Sequence, residues 1–302
     1  MIKRTLYFGN PAYLSIQNSQ LIIEKSGPSF DEQNMVSIPA EDIGVVILDH
    51  QQIVISQRVL QLLLEYQCVI IVCDQKRMPQ GLMLSFDGNT TQSERYRDQI
   101  EASEPLKKQL WQQTVSAKIK NQAILLQSQN IASDNMLHWA DEVTSGDMKN
   151  HEARAAAYYW ENIFSADFRR DRNGFPPNNL LNYGYAILRA VVARALVGSG
   201  LMLTLGIHHR NKYNAFCLAD DMMEPYRPFV DKLILDIAGN TEQDVDELTP
   251  ETKRKLFLIP AMDVIIGGQR SPLMIATQRT SASLVKCFSG ESRKLLLPEM
   301  VI

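Results

Sequence analysis

The pattern of apolar and polar positions changes once along the chain. Up to residue 86, short runs rich in β-branched and aromatic residues recur, and turn residues such as Gly9-Asn10-Pro11 separate several of them. Strands are predicted over 4–8, 13–17, 20–24, 35–38, 44–48 and 68–74. One helix is predicted among them over 56–66, where the apolar residues fall on a single stripe. This pattern indicates a β-rich N-terminal domain.

Helical periodicity dominates the rest of the chain, and the turn-rich segment 86–91 marks the change. Helices are predicted over 105–130, 149–164, 180–197, 218–238, 250–257 and 282–297. The sequence therefore predicts an α+β protein. A small β-rich domain, residues 1–86, is followed by a larger all-α domain, residues 87–302.

Composition is that of an ordinary globular protein, with 45% hydrophobic and 22% charged residues in 302. The basic start of the chain is not followed by an apolar run typical of a signal peptide, and no stretch resembles a membrane span. A cytoplasmic protein without a membrane partner is expected. The four cysteines, Cys68, Cys73, Cys217 and Cys287, form no Cys-x-x-Cys pair, so they are predicted to be buried and structural.

The net charge of −3 argues against a protein that holds nucleic acid by bulk charge, although segregated bases can still create a local positive surface. The segment 105–133 contains lysines and no acid. Lys107 and Lys118 are close to a whole number of helical turns apart, so they are predicted to share a face. From the residues alone, an ordinary solvated face remains open.

Three segments contain residues that could carry chemistry. The first, Gly206-Ile207-His208-His209, follows an apolar run and leads into a basic loop. In the second, Asp221 and Glu224 stand three positions apart, so one helical turn would place both on one face, and Pro225 predicts an irregular turn at that point. Carboxylates with an imidazole suit Mg²⁺ or Mn²⁺. A polar helix start with surface carboxylates is the open alternative.

The third segment is the predicted helix that contains Glu152. Its buried stripe is predicted to consist of Ala153, Ala156 or Ala157, Trp160 and Phe164, with Glu152 at its edge. Glu152 is either a functional carboxylate or a first-turn acid that interacts with the helix dipole. The chain contains no glycine-rich phosphate loop, Gly-x-Ser-x-Gly elbow, His-Glu-x-x-His or EF-hand pattern.

Taken together, these segments resemble the CRISPR-associated adaptation integrase and endonuclease family, the first-numbered Cas protein, and most closely its members from type II CRISPR loci. The resemblance covers nearly the whole chain. The matching segments, in order, are 4–8, the Glu152 helix, Asn182-Tyr183-Gly184-Tyr185-Ala186, 206–209 and 218–228.

The resemblance implies a metal site in the helical domain. Glu152, His209 and Glu224 correspond to the family's catalytic metal ligands, which hold Mg²⁺ or Mn²⁺. Asp221 and His208 are expected to support them, and Asp221 is the alternative acidic ligand, because some members carry Asp at the position of Glu224. The implied reaction is the attack of 3′-hydroxyl ends of a short captured duplex on the CRISPR repeat. Metal-dependent cleavage of branched DNA is the related reverse reaction.

The resemblance also implies partners. The chain is expected to form a homodimer through its N-terminal domain, and two dimers are expected to be bridged by one dimer of the second Cas protein. Double-stranded DNA is the expected substrate, and for a type II system the resemblance implies the effector nuclease and a further adaptation protein as additional partners. Seven basic residues are candidate DNA contacts: Lys107, Lys108, Lys118, Lys120, Arg169, Arg170 and Arg172. The alternatives are a catalytically idle DNA-binding scaffold and a metal hydrolase of small phosphate compounds.

Overall fold

The computed structural model of the protein describes residues 3–25, 35–164, 167–239 and 246–301. Contacts within the chain define two compact units, Met1–Gly88 and Asn89–Ile302. The sequence placed the boundary between residues 86 and 87, at the start of the same turn-rich segment.

In its described residues, the first unit contains two four-stranded sheets and one α-helix. Its elements are β1 (Arg4–Phe8), β2 (Ala12–Gln17), β3 (Gln20–Lys25), β4 (Met35–Pro39), β5 (Ile43–Leu48), β6 (Ile53–Ile55), α1 (Gln57–Glu65), β7 (Val69–Cys73) and β8 (Pro79–Met83). One sheet has the order β1-β5-β7-β8 and the other the order β4-β3-β2-β6. The helix α1 buries its predicted apolar side, including Val59 and Leu63, in the core.

Each strand predicted in this unit is present, and two further strands were missed. The strand β6 is only three residues long, and β8 contains Pro79 and Gly81, which obscure an alternating pattern. Both lie at the edge of a sheet, where proline is tolerated because one side of the strand needs no partner.

The second unit is mainly helical. Its helices are α2 (Gln92–Glu101), α3 (Glu104–Ser128), α4 (Asp134–Glu142), α5 (His151–Ile163), α6 (Asn178–Gly198), α7 (Cys217–Met223), α8 (Arg227–Ala238), α9 (Pro250–Leu256) and α10 (Leu273–Phe288). The helix α3 packs against α4 and α5 and against the segment that joins α7 to α8. Helices α2 and α4 were not among the helices predicted from the sequence.

Helix α6 forms the centre of this unit. Among the described residues it alone is long and apolar enough to cross a membrane, and 78% of its most apolar window is buried inside the protein. Gly184 allows α8 to approach it closely, because an added Cβ would lie 2.7 Å from Val230 Cγ1. The glycine of the Asn-Tyr-Gly-Tyr-Ala segment therefore has a packing role.

The second unit is not purely helical, which corrects the sequence prediction. A three-stranded sheet of order β10-β9-β11 is formed by β9 (Asp263–Ile266), β10 (Gln269–Pro272) and β11 (Pro298–Glu299). Gly267 and Gly268, both with positive φ, make the two-residue turn between β9 and β10. Two glycines between short strands are a hairpin signal that the helical interpretation overlooked.

The helix predicted over 282–297 is displaced. Helix α10 starts earlier, at Leu273, and ends at Phe288, where Gly290 with φ +83° follows. A left-handed glycine just beyond the last turn is a common helix stop. The leucines at 295–297 gave the false impression of a continuing helix, but they belong to an extended segment that leads into β11.

All four cysteines lie in the described residues, are buried and form no disulfide, which confirms the structural interpretation of these thiols.

Candidate metal centre

Glu152 lies at the second position of α5, and the start of that helix is fixed by Asp147. The two carboxylate oxygens of Asp147 accept the backbone N–H groups of His151 and Glu152, each at 2.9 Å. This cap satisfies donors that a helix start leaves without internal partners. Asp147 was not identified from the sequence, although a short acidic residue before a helix is a recognisable capping signal.

The buried stripe of α5 differs from the predicted one. Its buried residues are His151, Ala155, Tyr159 and Ile163. The prediction relied on alanines, which occur on either face of a helix and therefore carry little information about burial. Glu152 still lies at the edge of the buried stripe, partly accessible.

Glu224 occupies the break between α7 and α8. The predicted continuous helix over 218–238 is interrupted there by a short 3-10 helix, Glu224–Tyr226, as the proline at 225 had indicated. The side chain is buried, and its Oε1 lies 2.9 Å from Arg227 Nε. Arg227 is one helical turn further along, so the ion pair was readable from the sequence, but it was missed.

Lys118 of α3 connects Glu152 and Glu224. Its Nζ lies 2.7 Å from Glu152 Oε1 and 2.6 Å from Glu224 Oε2. Burial opposes the charged forms of Lys118 and Glu224, but the opposite charges around them prevail. Arg227 and Lys118 hold the pKa of Glu224 below its usual value, and Glu224 and Glu152 hold the pKa of Lys118 above its own. Two carboxylates from different helices thus converge on one cationic group.

The imidazole of His209 is oriented by Asp221. His209 Nδ1 lies 2.5 Å from Asp221 Oδ1, and the same carboxylate accepts the backbone N–H groups of His208 at 3.0 Å and His209 at 3.2 Å. Asp221 is fully buried. Its hydrogen bond raises the pKa of His209, against the opposing effect of burial. With Nδ1 committed to Asp221, the ring nitrogen that remains for a ligand is Nε2.

The spacing of the Gly-x-x-His segment has a steric explanation. A Cβ on Gly206 would lie 2.6 Å from Asp221 Oδ2 and 2.6 Å from the carbonyl oxygen of His209. Only glycine lets the loop close over this carboxylate.

His208 does not point into the carboxylate cluster. It is exposed, and its ring stacks on Trp111 of α3, with 4.1 Å between ring centroids and 2° between planes. Trp111 also meets the His209 ring edge-on at 5.9 Å. The supporting role expected for His208 is therefore compatible with holding this loop against α3.

Arg227 packs against a cluster of aromatic and acidic side chains. Its guanidinium lies 4.6 Å from the ring centroid of Tyr185. The Tyr185 and Tyr159 hydroxyls donate to the two oxygens of Asp231, at 2.5 and 2.8 Å. Burial raises the pKa of Asp231 to about 6, although both hydroxyls oppose the shift.

Asn121 of α3 joins the α7–α8 break to the strand β11. Its Nδ2 donates to the carbonyl oxygens of Pro225 at 2.8 Å and Pro298 at 3.0 Å, and its Oδ1 accepts the N–H of Met300 at 2.9 Å. Pro225, the residue next to Glu224, is therefore hydrogen-bonded to α3, the helix that also carries Lys118.

The carboxylates and the imidazole suit a cation, but the described side chains do not form a complete divalent-metal site. Over 3–25, 35–164, 167–239 and 246–301, no group of three or more His, Cys, Asp or Glu side chains lies close enough together to hold a metal ion. Glu152 and Glu224 share an ammonium instead, and the charge of Glu224 is close enough to raise the pKa of His209. Two carboxylates and one imidazole nitrogen are a donor set that suits Mg²⁺ or Mn²⁺.

The candidate DNA-contact lysines do not form one exposed face. The expectation that Lys118 shares such a face is wrong, because Lys118 is only 9% exposed and faces two carboxylates. Its neighbours on α3 differ: Lys108 is exposed, Lys107 lies 3.7 Å from Glu104, and Lys120 pairs with Asp141 at 2.8 Å while remaining half exposed.

The candidate arginines also divide into different environments. Arg170 donates to the side chains of Asn178 and Asn182, each at 2.8 Å, so its guanidinium serves the fold. Arg169 donates to the carbonyl oxygen of Phe168, and Arg172 is exposed. Among the three, Arg172 is the one whose surroundings best suit an external phosphate.

Lys107 and His209 line a common cavity. It is open to solvent, has a volume of about 660 Å³ and is also bordered by Arg210, Lys212 and the exposed Tyr213. His209 thus borders a solvent-accessible cavity that is lined by basic side chains and is large enough for part of a nucleotide chain.

These features define an α+β protein whose helical unit brings two carboxylates to one ammonium group and orients an imidazole, through a buried aspartate, at a basic cavity. The family model described as CRISPR associated protein Cas1 matches residues 6–261. The chain belongs to this family, which confirms the resemblance seen in its sequence.

Individual proteins agree with this assignment. The CRISPR-associated endonuclease Cas1 of Neisseria meningitidis serogroup C (strain 8013) is 35% identical over 100% of this chain and 97% of its own. A casposase bound to its integration product has a TM-score of 0.78 at 19% identity, covering 98% of this chain and 92% of that one. A chain of a Cas6-RT-Cas1–Cas2 complex has a TM-score of 0.75 at 19% identity, covering 99% and 36%. The predicted α+β fold is confirmed.

Proposed function

We propose that this chain is a divalent-metal-dependent DNA integrase and endonuclease of CRISPR adaptation, which inserts short captured DNA into the repeat array. The observation that carries the proposal is the convergence of Glu152 and Glu224 on one cationic group, while Asp221 orients the ring of His209 close enough for the charge of Glu224 to raise its pKa. The names of the similar proteins support the same activity: one is an endonuclease of this family, and another was captured with an integration product.

Glu152, Glu224 and Nε2 of His209 would hold Mg²⁺ or Mn²⁺, which supplies charge stabilisation for a phosphodiester under attack and activates the attacking hydroxyl. Glu224 is proposed as the acidic ligand in preference to Asp221. Both oxygens of Asp221 already accept N–H groups, and Asp221 acts by fixing the His209 ring.

In the proposed reaction, the 3′-hydroxyl oxygen of the captured duplex forms a new bond to a phosphorus atom of the repeat. The bond from that phosphorus to the repeat's own 3′ oxygen breaks; the attacking hydroxyl gives its proton to solvent, and the leaving 3′ oxygen takes one up from solvent. Lys107, Arg210 and Lys212 border the cavity beside His209, so they are placed to hold the DNA backbone during this exchange. Arg210 also pairs with Glu104, an interaction that a bound phosphate would compete with.

The proposal includes partners and location. The chain acts as a homodimer through its N-terminal unit, and two such dimers are bridged by a dimer of the second Cas protein. One of the similar structures is named as a complex that contains both proteins. Double-stranded DNA is the substrate, and the site of action is the cytoplasm. In a type II system, the effector nuclease and a further adaptation protein complete the set of partners.

Strand transfer tests the function directly. The chain, mixed with its second Cas protein, is expected to join a short duplex with free 3′-hydroxyl ends to a plasmid that carries a repeat, in Mn²⁺ but not in EDTA. A duplex with 3′-dideoxy ends is the control and is expected to be inert. DNA binding without any transfer would favour the idle scaffold. Hydrolysis of nucleotides without duplex DNA would favour the small-phosphate hydrolase.

The three candidate lysines of α3 that are not buried give a separate prediction about DNA affinity. Reversing Lys107, Lys108 and Lys120 together to Glu is expected to weaken binding to duplex DNA irrespective of sequence. Each lost phosphate contact lowers the slope of log affinity against log salt by about one unit. Fluorescence anisotropy over a salt series measures both quantities.

The control for this triple variant is reversal of Lys286, Arg254 and Lys255, which lie on α10 and α9. An unchanged salt slope in the triple variant would exclude these three lysines as DNA contacts, and Arg172 would then be the next candidate.

A further inference from the structure

Lys118 occupies a position that an isolated charge could not tolerate. Its side chain lies within the helical unit, with Nζ at 2.7 Å from Glu152 Oε1 and 2.6 Å from Glu224 Oε2. A buried ammonium is stable only when opposite charges surround it. The reverse also holds, because two carboxylates brought together without a cation between them would repel each other.

Arg227, the second cation at Glu224, has a different role. It contacts the other oxygen, Oε1, and its guanidinium is stacked on Tyr185. It therefore neutralises Glu224 at Oε1, the oxygen that Lys118 does not contact. Lys118 approaches from the side that Glu152 faces, and it is the group that bridges the two acids.

A divalent ion at these carboxylates would need the same space. Oxygen ligands lie roughly 2.0–2.6 Å from Mg²⁺ or Ca²⁺-sized ions, and the ammonium nitrogen is already at a comparable distance from one oxygen of each acid. Two cations bound to the same pair of oxygens would lie within a few ångströms of each other and repel strongly in a buried setting.

We propose that Lys118 is a positioning residue that holds Glu152 and Glu224 together when no divalent ion is bound and that leaves this position when an ion binds. This inference rests on the proposed function, because it requires Glu152 and Glu224 to be metal ligands. Its consequence is that the ammonium competes with the ion. The metal-free site is preformed and neutralised, and its divalent affinity is lower than the same carboxylates would have alone.

The test compares Lys118→Met, Lys118→Arg and Lys120→Met in two measurements. Isothermal titration gives the Kd for Mn²⁺, and thermal unfolding is followed in EDTA and in saturating Mn²⁺. Lys120 is the matched control, because it lies on the same helix and pairs with Asp141 at 2.8 Å but is half exposed. Neither measurement depends on strand-transfer activity.

Lys118→Met is expected to bind Mn²⁺ at least about tenfold more tightly, because a competing charge is gone. In EDTA its Tm should fall by about 10 °C, since two acids lose their shared cation, and Mn²⁺ should restore most of that loss. Lys118→Arg, which keeps the charge, should stay close to the wild type in Kd. Lys120→Met should change neither quantity. A purely structural lysine would give a loss of stability that Mn²⁺ does not restore.

An unchanged or weaker Mn²⁺ affinity in Lys118→Met would overturn the inference while leaving the metal site intact. If Lys118→Met does not fold, a crystal structure of the wild type with Mn²⁺ decides. Lys118 away from both carboxylates supports the inference, and Lys118 still bridging them beside a bound ion contradicts it. Failure of the wild type to bind Mn²⁺ would contradict the proposed function itself. Unaltered Mn²⁺ binding in Glu152→Gln and Glu224→Gln would contradict it too.

Discussion

Replacing Glu152 or Glu224 by glutamine, or His209 by alanine, is expected to abolish strand transfer, with a loss of at least about a thousandfold. Each change removes a proposed metal ligand, and charge stabilisation by a bound ion is worth several kcal/mol in the transition state. Glutamine is preferred for the two acids because it keeps their volume and leaves the buried Lys118 and Arg227 a polar partner. Single-turnover joining of a labelled duplex in Mn²⁺ measures the effect.

Glu161→Gln is the control for these ligand variants. Glu161 lies on α5, as Glu152 does, but it is exposed. It is expected to retain full activity. Circular dichroism of each inactive variant should match that of the wild type. Wild-type rates in Glu152→Gln would show that this carboxylate belongs to the fold and not to the chemistry.

Asp221→Asn is expected to weaken Mn²⁺ binding by about 10- to 100-fold, the usual cost of losing an outer partner of a metal-bound histidine. The amide cannot accept all three N–H groups that Asp221 now accepts, so the His209 ring loses its fixed orientation. Isothermal titration with Mn²⁺ gives the change in Kd, and Glu224→Gln serves as the reference.

The comparison separates the two acids of the Asp-x-x-Glu pattern. The assignment of Glu224 as ligand requires the loss in Asp221→Asn to be clearly smaller than that in Glu224→Gln. The reverse order of the two losses would make Asp221 the acidic ligand. Asp220→Asn, in which the changed carboxylate pairs with Arg189 at 2.6 Å, should leave the Kd unaltered.

Local patterns predicted much of the fold, and they failed where the outcome depended on packing. The strands of the first unit have β-branched runs bounded by turns, and the break at Glu224 follows from the proline behind it. The displacement of α10 could not be read in the same way. Its Thr- and Ser-rich middle is buried by neighbouring helices, whereas the leucines at 295–297 look helical but continue into a strand.

In the site, too, some features depend on residues close in sequence and others on residues that are distant in sequence. The pairing of Asp221 with His209 and the need for glycine at 206 are consequences of one compact segment, although their geometry becomes visible only in the structure. The burial of Lys118 depends on α3 meeting α5 and the α7–α8 break, which are distant in sequence. No periodicity within α3 distinguishes that lysine from Lys107 or Lys120, which is why it was assigned to a DNA-binding face.

The hydrogen bonds of Asn121 have a kinetic consequence. One side chain joins α3 to Pro225 and to the strand β11, across separations of 104 and 177 residues. Contacts between such distant segments form late, because a long loop must close before they can contribute any stability. Asn121 makes one of its hydrogen bonds to the carbonyl oxygen of Pro225, the residue next to Glu224. The geometry of Glu224 beside Lys118 is therefore expected to be fixed late in folding, once the α7–α8 break has reached α3.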